Sequence, residues 1–121
     1  MPISVLLADD AEIVRKAVMN LLKADPEIEV LAEATSLSQT MQLTRNLQPH
    51  VVILDLHMGD EHNFTPSEVK SCFVDSQLLA ISLWNDEGTK ALAHSFGAVA
   101  LLDKTRLGIE LIPAIKQYAK E

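Results

Sequence analysis

Residues 51–60 read VVILDLHMGD. Five of the first six side chains are apolar, the pattern of a strand shielded on both faces, and the exception, Asp55, falls near the end of the run. An ionised carboxylate in apolar surroundings is costly unless something compensates it. Asp55 therefore calls for a partner charge, a polar opening at the strand end, or both.

Four further runs resemble this one. Residues 3–8, 29–34, 77–83 and 99–102 are short and mostly apolar, and with 50–56 they make five predicted strands. Helical spacing fills the gaps between them. Ile13, Val14, Ala17, Val18, Leu21 and Leu22 recur as one helix face before Asp25-Pro26 ends the pattern. Ser36 or Ser38 can cap a second helix carrying Leu37, Met41, Leu43 and Leu47 and closed by Pro49. Thr65-Pro66-Ser67-Glu68 joins a capping box to a proline at the first helical position, opening a short third helix that ends near Phe73 or Val74. The fourth starts around 85–87 and stops at Gly97, a left-handed cap. A fifth runs through Ile109, Ile112, Ile115 and Lys116 to Tyr118, with Pro113 in its first turn or kinking it.

Strict alternation of strand and helix, with strands apolar on both faces, specifies a doubly wound parallel sheet covered by helices on each side. Ligands in such sheets gather at the carboxyl ends of the strands. That rule draws together Asp9 and Asp10 after the first strand, Asp55 on the third, Ser82 near the end of the fourth, and Lys104 after the fifth. Converging carboxylates repel one another unless a cation joins them, and hard oxygen ligands suit hydrated Mg²⁺. Lys104 adds a second, fixed positive charge. A carboxylate between two such cations is poised to attack phosphorus, because both can neutralise the oxygens of a transferring phosphoryl group. The Ser82 hydroxyl can donate a hydrogen bond to one of those oxygens.

Composition sets the outer limits. With 121 residues and 48% hydrophobic content, the chain is expected to form one domain over 1–121. No apolar run is long enough for a membrane helix, and MPISVLLADD lacks a basic start, so the expected location is cytoplasmic. A lone Cys72 cannot form an internal disulfide and reads as a half-buried structural thiol. The formal charge of -7 opposes binding to nucleic acid or anionic membrane by this chain.

The stretches VLLADD, VVILDLHM, LLAISLW and FGAVALLDK, in this order and spacing, resemble the receiver domains of two-component response regulators across essentially the whole chain. The resemblance implies a flavodoxin-like sheet of order 2-1-3-4-5. It also implies that Asp55 is the phosphoacceptor, Asp10 a direct Mg²⁺ ligand, Asp9 a ligand through water, and the His57 backbone carbonyl a further metal contact. Ser82 and Lys104 would bind the phosphoryl group. Implied partners are a sensor histidine kinase or phosphotransfer protein and a downstream effector protein or domain, with a homodimer through the helix 4, strand 5, helix 5 face. Four positions depart from the family pattern: Gly59 replaces a usual proline, the glycine expected at the start of the third helix is replaced within GDEHNFTP, Leu101 replaces a usual aromatic, and Thr105 a frequent proline. Without the aromatic, the output switch that depends on its rotation is not expected in its familiar form.

Competing readings of the same residues are blander. Asp9 and Asp10 could cap the first helix, Asp55 could cap a loop, and Lys104 could be an ordinary surface lysine. His57 and His62 with Asp60 and Glu61 suggest a transition-metal site, although polar loops are commonly just solvated. Trp84 suits either a cover for the core edge or a partner contact. A flavin-phosphate binder would share the fold, but ADDAE would repel a phosphate. A phosphatase of the haloacid dehalogenase type needs an acid two residues after its nucleophile, where this chain has His57. An unphosphorylated pseudo-receiver acting as an interaction module is the remaining alternative.

Overall fold

In a computed structural model, which describes residues 2–120, five parallel strands form one sheet of order β2-β1-β3-β4-β5. The strands are β1 (Ile3–Ala8), β2 (Ile28–Ala34), β3 (Val51–Asp55), β4 (Gln77–Ser82) and β5 (Ala100–Asp103). Between and after them run α1 (Glu12–Lys23), α2 (Leu37–Leu47), α3 (Pro66–Cys72), α4 (Glu87–Ser95) and α5 (Leu107–Ala119), with 3₁₀ turns at Glu61–Asn63 and Lys104–Arg106. The flavodoxin-like doubly wound sheet expected from the sequence is the fold observed.

Residue parity along the strands builds two cores. Leu6 and Ala8, Val52 and Leu54, and Leu78 and Ala80 face one side, where they meet Leu37 and Met41 of α2, Val69 of α3 and Ala93 of α4. Val5 and Leu7, Val51 and Ile53, and Leu79 and Ile81 face the other, against Val18 and Leu22 of α1 and Leu111 and Ile115 of α5. Val52, Ile53 and Leu54 are wholly shielded from solvent, and each such side chain contributes about 1.5–3 kcal/mol through burial. Asp55 continues the parity of Val51 and Ile53, and Asp9 that of Val5 and Leu7, so both carboxylates belong to the α1/α5 side. Ser82 continues that of Leu78 and Ala80, on the α4 side.

The helix ends follow the sequence signals closely. Ser36, not Ser38, caps α2 by accepting from the Gln39 amide. Thr65 and Glu68 form the reciprocal capping box at α3, with bonds of 3.2 and 3.4 Å, a feature worth about 1 kcal/mol. Gly97 takes φ +82° just past α4, the left-handed conformation in which a side chain would strain. Pro113 lies inside α5 and cannot donate to the carbonyl four residues earlier, that of the exposed Ile109.

One periodic stripe is buried less than expected. Of the apolar residues of α1, Val18 and Leu22 are buried, but Ile13 is 80% exposed and Ala17 also faces solvent. A helix lying on a sheet buries only the stripe it presents to that sheet, and the apolar face of α1 is wider than that stripe.

Candidate functional site

The strand order places β1 and β3 side by side while their following connections leave toward opposite edges, opening a crevice beyond their carboxyl ends. Asp9 follows β1 and is wholly buried; Asp10 after it is exposed; Asp55 ends β3 at 4% exposure. Each of the three offers a carboxylate oxygen, and these oxygens lie within 4.8 Å of one another. This is the one such cluster of potential metal ligands among the described residues. Lys104, opening the 3₁₀ turn after β5, reaches across from the α5 side. Its Nζ lies 2.8 Å from Asp9 Oδ2 and 3.2 Å from Asp55 Oδ2. The compensating charge that Asp55 called for is therefore present, together with a polar opening.

Backbone contacts hold the carboxylates in place. Asp9 Oδ1 accepts from the Ala11 amide at 2.8 Å, and Asp55 Oδ1 from the His57 amide at 3.1 Å. Asp9 Oδ2 is buried, and its close counter-charge is the Lys104 ammonium at 2.8 Å. A carboxylate oxygen keeps further lone pairs beside such a partner, so a metal or a metal-bound water would share this charge with the ammonium. The residues present thus fit a hard divalent ion: three carboxylates, one of them solvent-facing, converge beside a single lysine counter-charge.

Electrostatics set the two central groups apart from ordinary side chains. Burial pushes the Asp55 carboxyl above its usual value; the nearby Asp9 charge adds to this, while the His57 amide and Lys104 offset it in part. For Lys104 burial works to lower the pKa, but its contacts with Asp9 and Asp55 outweigh it and raise the value above the usual lysine range. The ammonium is accordingly a permanent charge.

Ser82 lies one residue beyond Ile81, the β4 partner of Asp55, and is 1% exposed. Its Oγ accepts the Trp84 amide at 3.0 Å, leaving its proton free to donate elsewhere. Trp84 is 57% exposed, and its ring meets the His57 ring edge-on at 5.1 Å. Through this contact the connection after β3 touches the connection after β4.

Two anchors at this end of the sheet were not anticipated. Arg15 of α1 donates from Nη1 to the Asp9 carbonyl at 2.8 Å while its Nε lies 3.4 Å from Glu33, tying α1 to the ends of β1 and β2. Asp60 accepts from the Leu37 and Ser38 amides at 2.9 Å each, so the segment after β3 is fastened to the first turn of α2. That use of Asp60 removes it from the suggested transition-metal site. His57 and His62 each stand 3.8 Å from Glu61, without forming a three-ligand cluster. No local signal could reveal either anchor, because each joins residues that meet only once the sheet is assembled.

Known proteins align with this arrangement. The sequence matches the family described as the response regulator receiver domain over residues 5–116. The transcriptional regulatory protein LiaR of Bacillus subtilis is 31% identical over 119 residues, covering 98% of this chain and 56% of LiaR. A protein-glutamate methylesterase/protein-glutamine glutaminase of Methanococcus maripaludis is 26% identical, covering 98% of this chain and 35% of that protein. The chain thus spans from about a third to little more than half of the length of these relatives. Among solved structures, the signal receiver domain of the response regulator NarL from Mycobacterium tuberculosis superposes with a TM-score of 0.87 at 25% identity, covering 98% of this chain and 97% of that one. Helices of the described residues are all too short or too polar to cross a membrane. With its sheet order, its acidic crevice and a family match over residues 5–116, the chain belongs to the response regulator receiver domain family.

Proposed function

We propose that this chain is the phosphorylation-dependent switch of a two-component system, with Asp55 as acceptor. The observation that carries the reading is the Lys104 ammonium 3.2 Å from Asp55 Oδ2 beside two further carboxylates. In this reading an Asp55 oxygen attacks the phosphorus of a phosphohistidine on a sensor kinase or phosphotransfer protein. A P–O bond forms, the P–N bond breaks, and its electron pair leaves with the imidazole. Lys104 neutralises one phosphoryl oxygen and the Ser82 hydroxyl donates a hydrogen bond to another. Asp10, Asp55 and the His57 carbonyl would hold Mg²⁺, with Asp9 acting through a bound water; when bound, the ion supplies additional charge neutralisation at the phosphoryl oxygens.

The direct test is mass gain. With acetyl phosphate and Mg²⁺ the protein should gain one phosphoryl group, and with a chelator it should gain none. Asp10→Asn, which removes a ligand and a charge, should weaken Mg²⁺ binding by at least about tenfold, the loss that even an outer-sphere partner can cause. Undiminished labelling in chelator would remove the metal from the proposal.

The same contacts suggest how the signal leaves. A phosphoryl group on Asp55 draws the Ser82 hydroxyl toward it, and Ser82 carries the Trp84 amide with it. Residues 83–88 are all exposed, so the movement displaces no buried side chain of that segment. By contrast, the segment after β3 is held by Asp60 on α2, by Met58 and Phe64 in the core, and by the α3 capping box. Hydrogen exchange with and without a beryllofluoride mimic should therefore change within residues 83–104 and leave 58–66 nearly as before. Changes confined to 58–66 would assign the output to the other connection.

A further inference from the structure

We infer that Arg15, braced by Glu33, is a positioning residue that sets the carboxylates of Asp9 and Asp10 for a divalent ion; the inference rests on the reading of the acidic crevice as a Mg²⁺ site. Both acids lie on the connection from β1 to α1, and they converge with Asp55 only while the backbone between them is fixed. Asp9 is wholly buried, whereas Asp10 is exposed, so packing does not hold the second of the pair. Its direction comes from the peptide that joins it to Asp9. The carbonyl of that peptide accepts from Arg15 Nη1 at 2.8 Å. On the other side of Asp9, its amide donates to the Ala34 carbonyl at 3.1 Å. Arg15 Nε lies 3.4 Å from Glu33, the residue beside Ala34. The end of β2 therefore grips Asp9 by both backbone groups, directly at the amide and through Arg15 at the carbonyl.

The residue type matters to this grip. A guanidinium presents its donors in a planar fork, so one side chain reaches a carbonyl with one nitrogen and a carboxylate with another, whereas a lysine ammonium is a point charge on a flexible stem. The Arg15 side chain is 17% exposed while that of its neighbour Lys16 is 75% exposed. Charged side chains are ordinarily left in water, and Arg15 is instead drawn in toward the acidic turn. Charge alone would give it the opposite role. A cation beside the crevice opposes a second cation there, so if Arg15 acted through its field, its loss would tighten metal binding. If Arg15 acts by position, its loss loosens the ligands and weakens binding. The two accounts differ in sign.

Calorimetric titration with Mg²⁺, without phosphodonor and well below the thermal midpoint, reads that sign. Arg15→Met, which keeps an apolar stem, should bind Mg²⁺ about tenfold more weakly than the parent, the loss typical of a group that orients metal ligands from behind. Arg15→Lys should recover only part of it. Glu33→Ala should weaken binding less, and should add nothing in the Arg15→Met background, because it acts through Arg15. Lys16→Gln, which removes a neighbouring charge that pairs with Glu12 instead, should bind as the parent does. Hydrogen exchange in the metal-free protein gives a second readout. The Ala11 amide, 2.8 Å from Asp9 Oδ1, should lose protection in Arg15→Met while the amides of β3 and β4 keep theirs. Mg²⁺ bound by Arg15→Met as tightly as by the parent, or more tightly, overturns the inference and leaves the proposed function standing. Full recovery by Arg15→Lys overturns it as well, since charge would then suffice. A parent that binds no Mg²⁺ removes the metal reading itself, and this inference with it.

Discussion

Asp55→Asn should take up no phosphoryl group at position 55 from acetyl phosphate, while gaining thermal stability at neutral pH. Loss of labelling follows from nucleophile chemistry, since an amide oxygen carries no charge to attack phosphorus and Asp9 and Asp10 lie on a different strand end. The gain in stability follows from burial. Desolvation is the largest influence on Asp55 and raises its folded-state pKa above the ordinary 3.8. The folded state therefore binds the proton more tightly than the unfolded one. Whatever Asp55 contributes to stability is fully present below the ordinary value and is lost as pH rises through the folded value. Asparagine does not titrate. The midpoint difference between variant and parent should thus be small in acid, grow as pH rises through the raised Asp55 value, and level off beyond it, reaching on the order of a few degrees. A parent more stable than Asp55→Asn at neutral pH would mean that Lys104 overcompensates the buried charge. Labelling that survives the substitution would displace Asp55 from the acceptor role.

Most of the fold was legible because its strands are apolar on both faces, which few other architectures require. The constellation was legible for the same reason: Asp9, Asp55 and Lys104 interrupt or end apolar runs where a charge is conspicuous. Less legible was what depends on distant partners. Asp60 reads as one polar residue among several in GDEHNFTP, and only the assembled sheet brings it to the Leu37 and Ser38 amides, more than twenty positions earlier. Arg15 resembles any helix-surface arginine until α1 folds back over the end of β1. Ile13 misled in the opposite direction. Its spacing with Ala17 and Leu21 fits a helix face turned to the core, but periodicity reports that a face is apolar, not what covers it.

Lys104→Met should have the largest effect on the resting protein. Lys104 faces two buried carboxylates at 2.8 and 3.2 Å, and its removal leaves Asp9, wholly shielded from solvent, without a counter-charge. Breaking a buried ion pair from one side commonly costs about 3–5 kcal/mol; because Asp55 can relieve part of the imbalance by taking up a proton, about 2–3 kcal/mol is expected here. The sign with pH is set by the lysine. Its folded-state pKa is raised, so the stability it contributes is fully present below the ordinary 10.5 and is lost only as pH rises through the higher folded value. Parent and variant should accordingly differ across the whole neutral range. Mg²⁺ separates this account from a simple packing defect. Lys104 occupies oxygens of Asp9 and Asp55 that a cation would otherwise approach, so ammonium and metal compete for the same charge. Without the ammonium, Mg²⁺ should bind more tightly and restore much of the lost stability, which a cavity left by a deleted stem would not allow. Phosphorylation, lacking one of the charges that neutralise the transferring group, should slow by about a hundredfold without disappearing. If added Mg²⁺ stabilises Lys104→Met no more than it stabilises the parent, lysine and metal do not share these carboxylates.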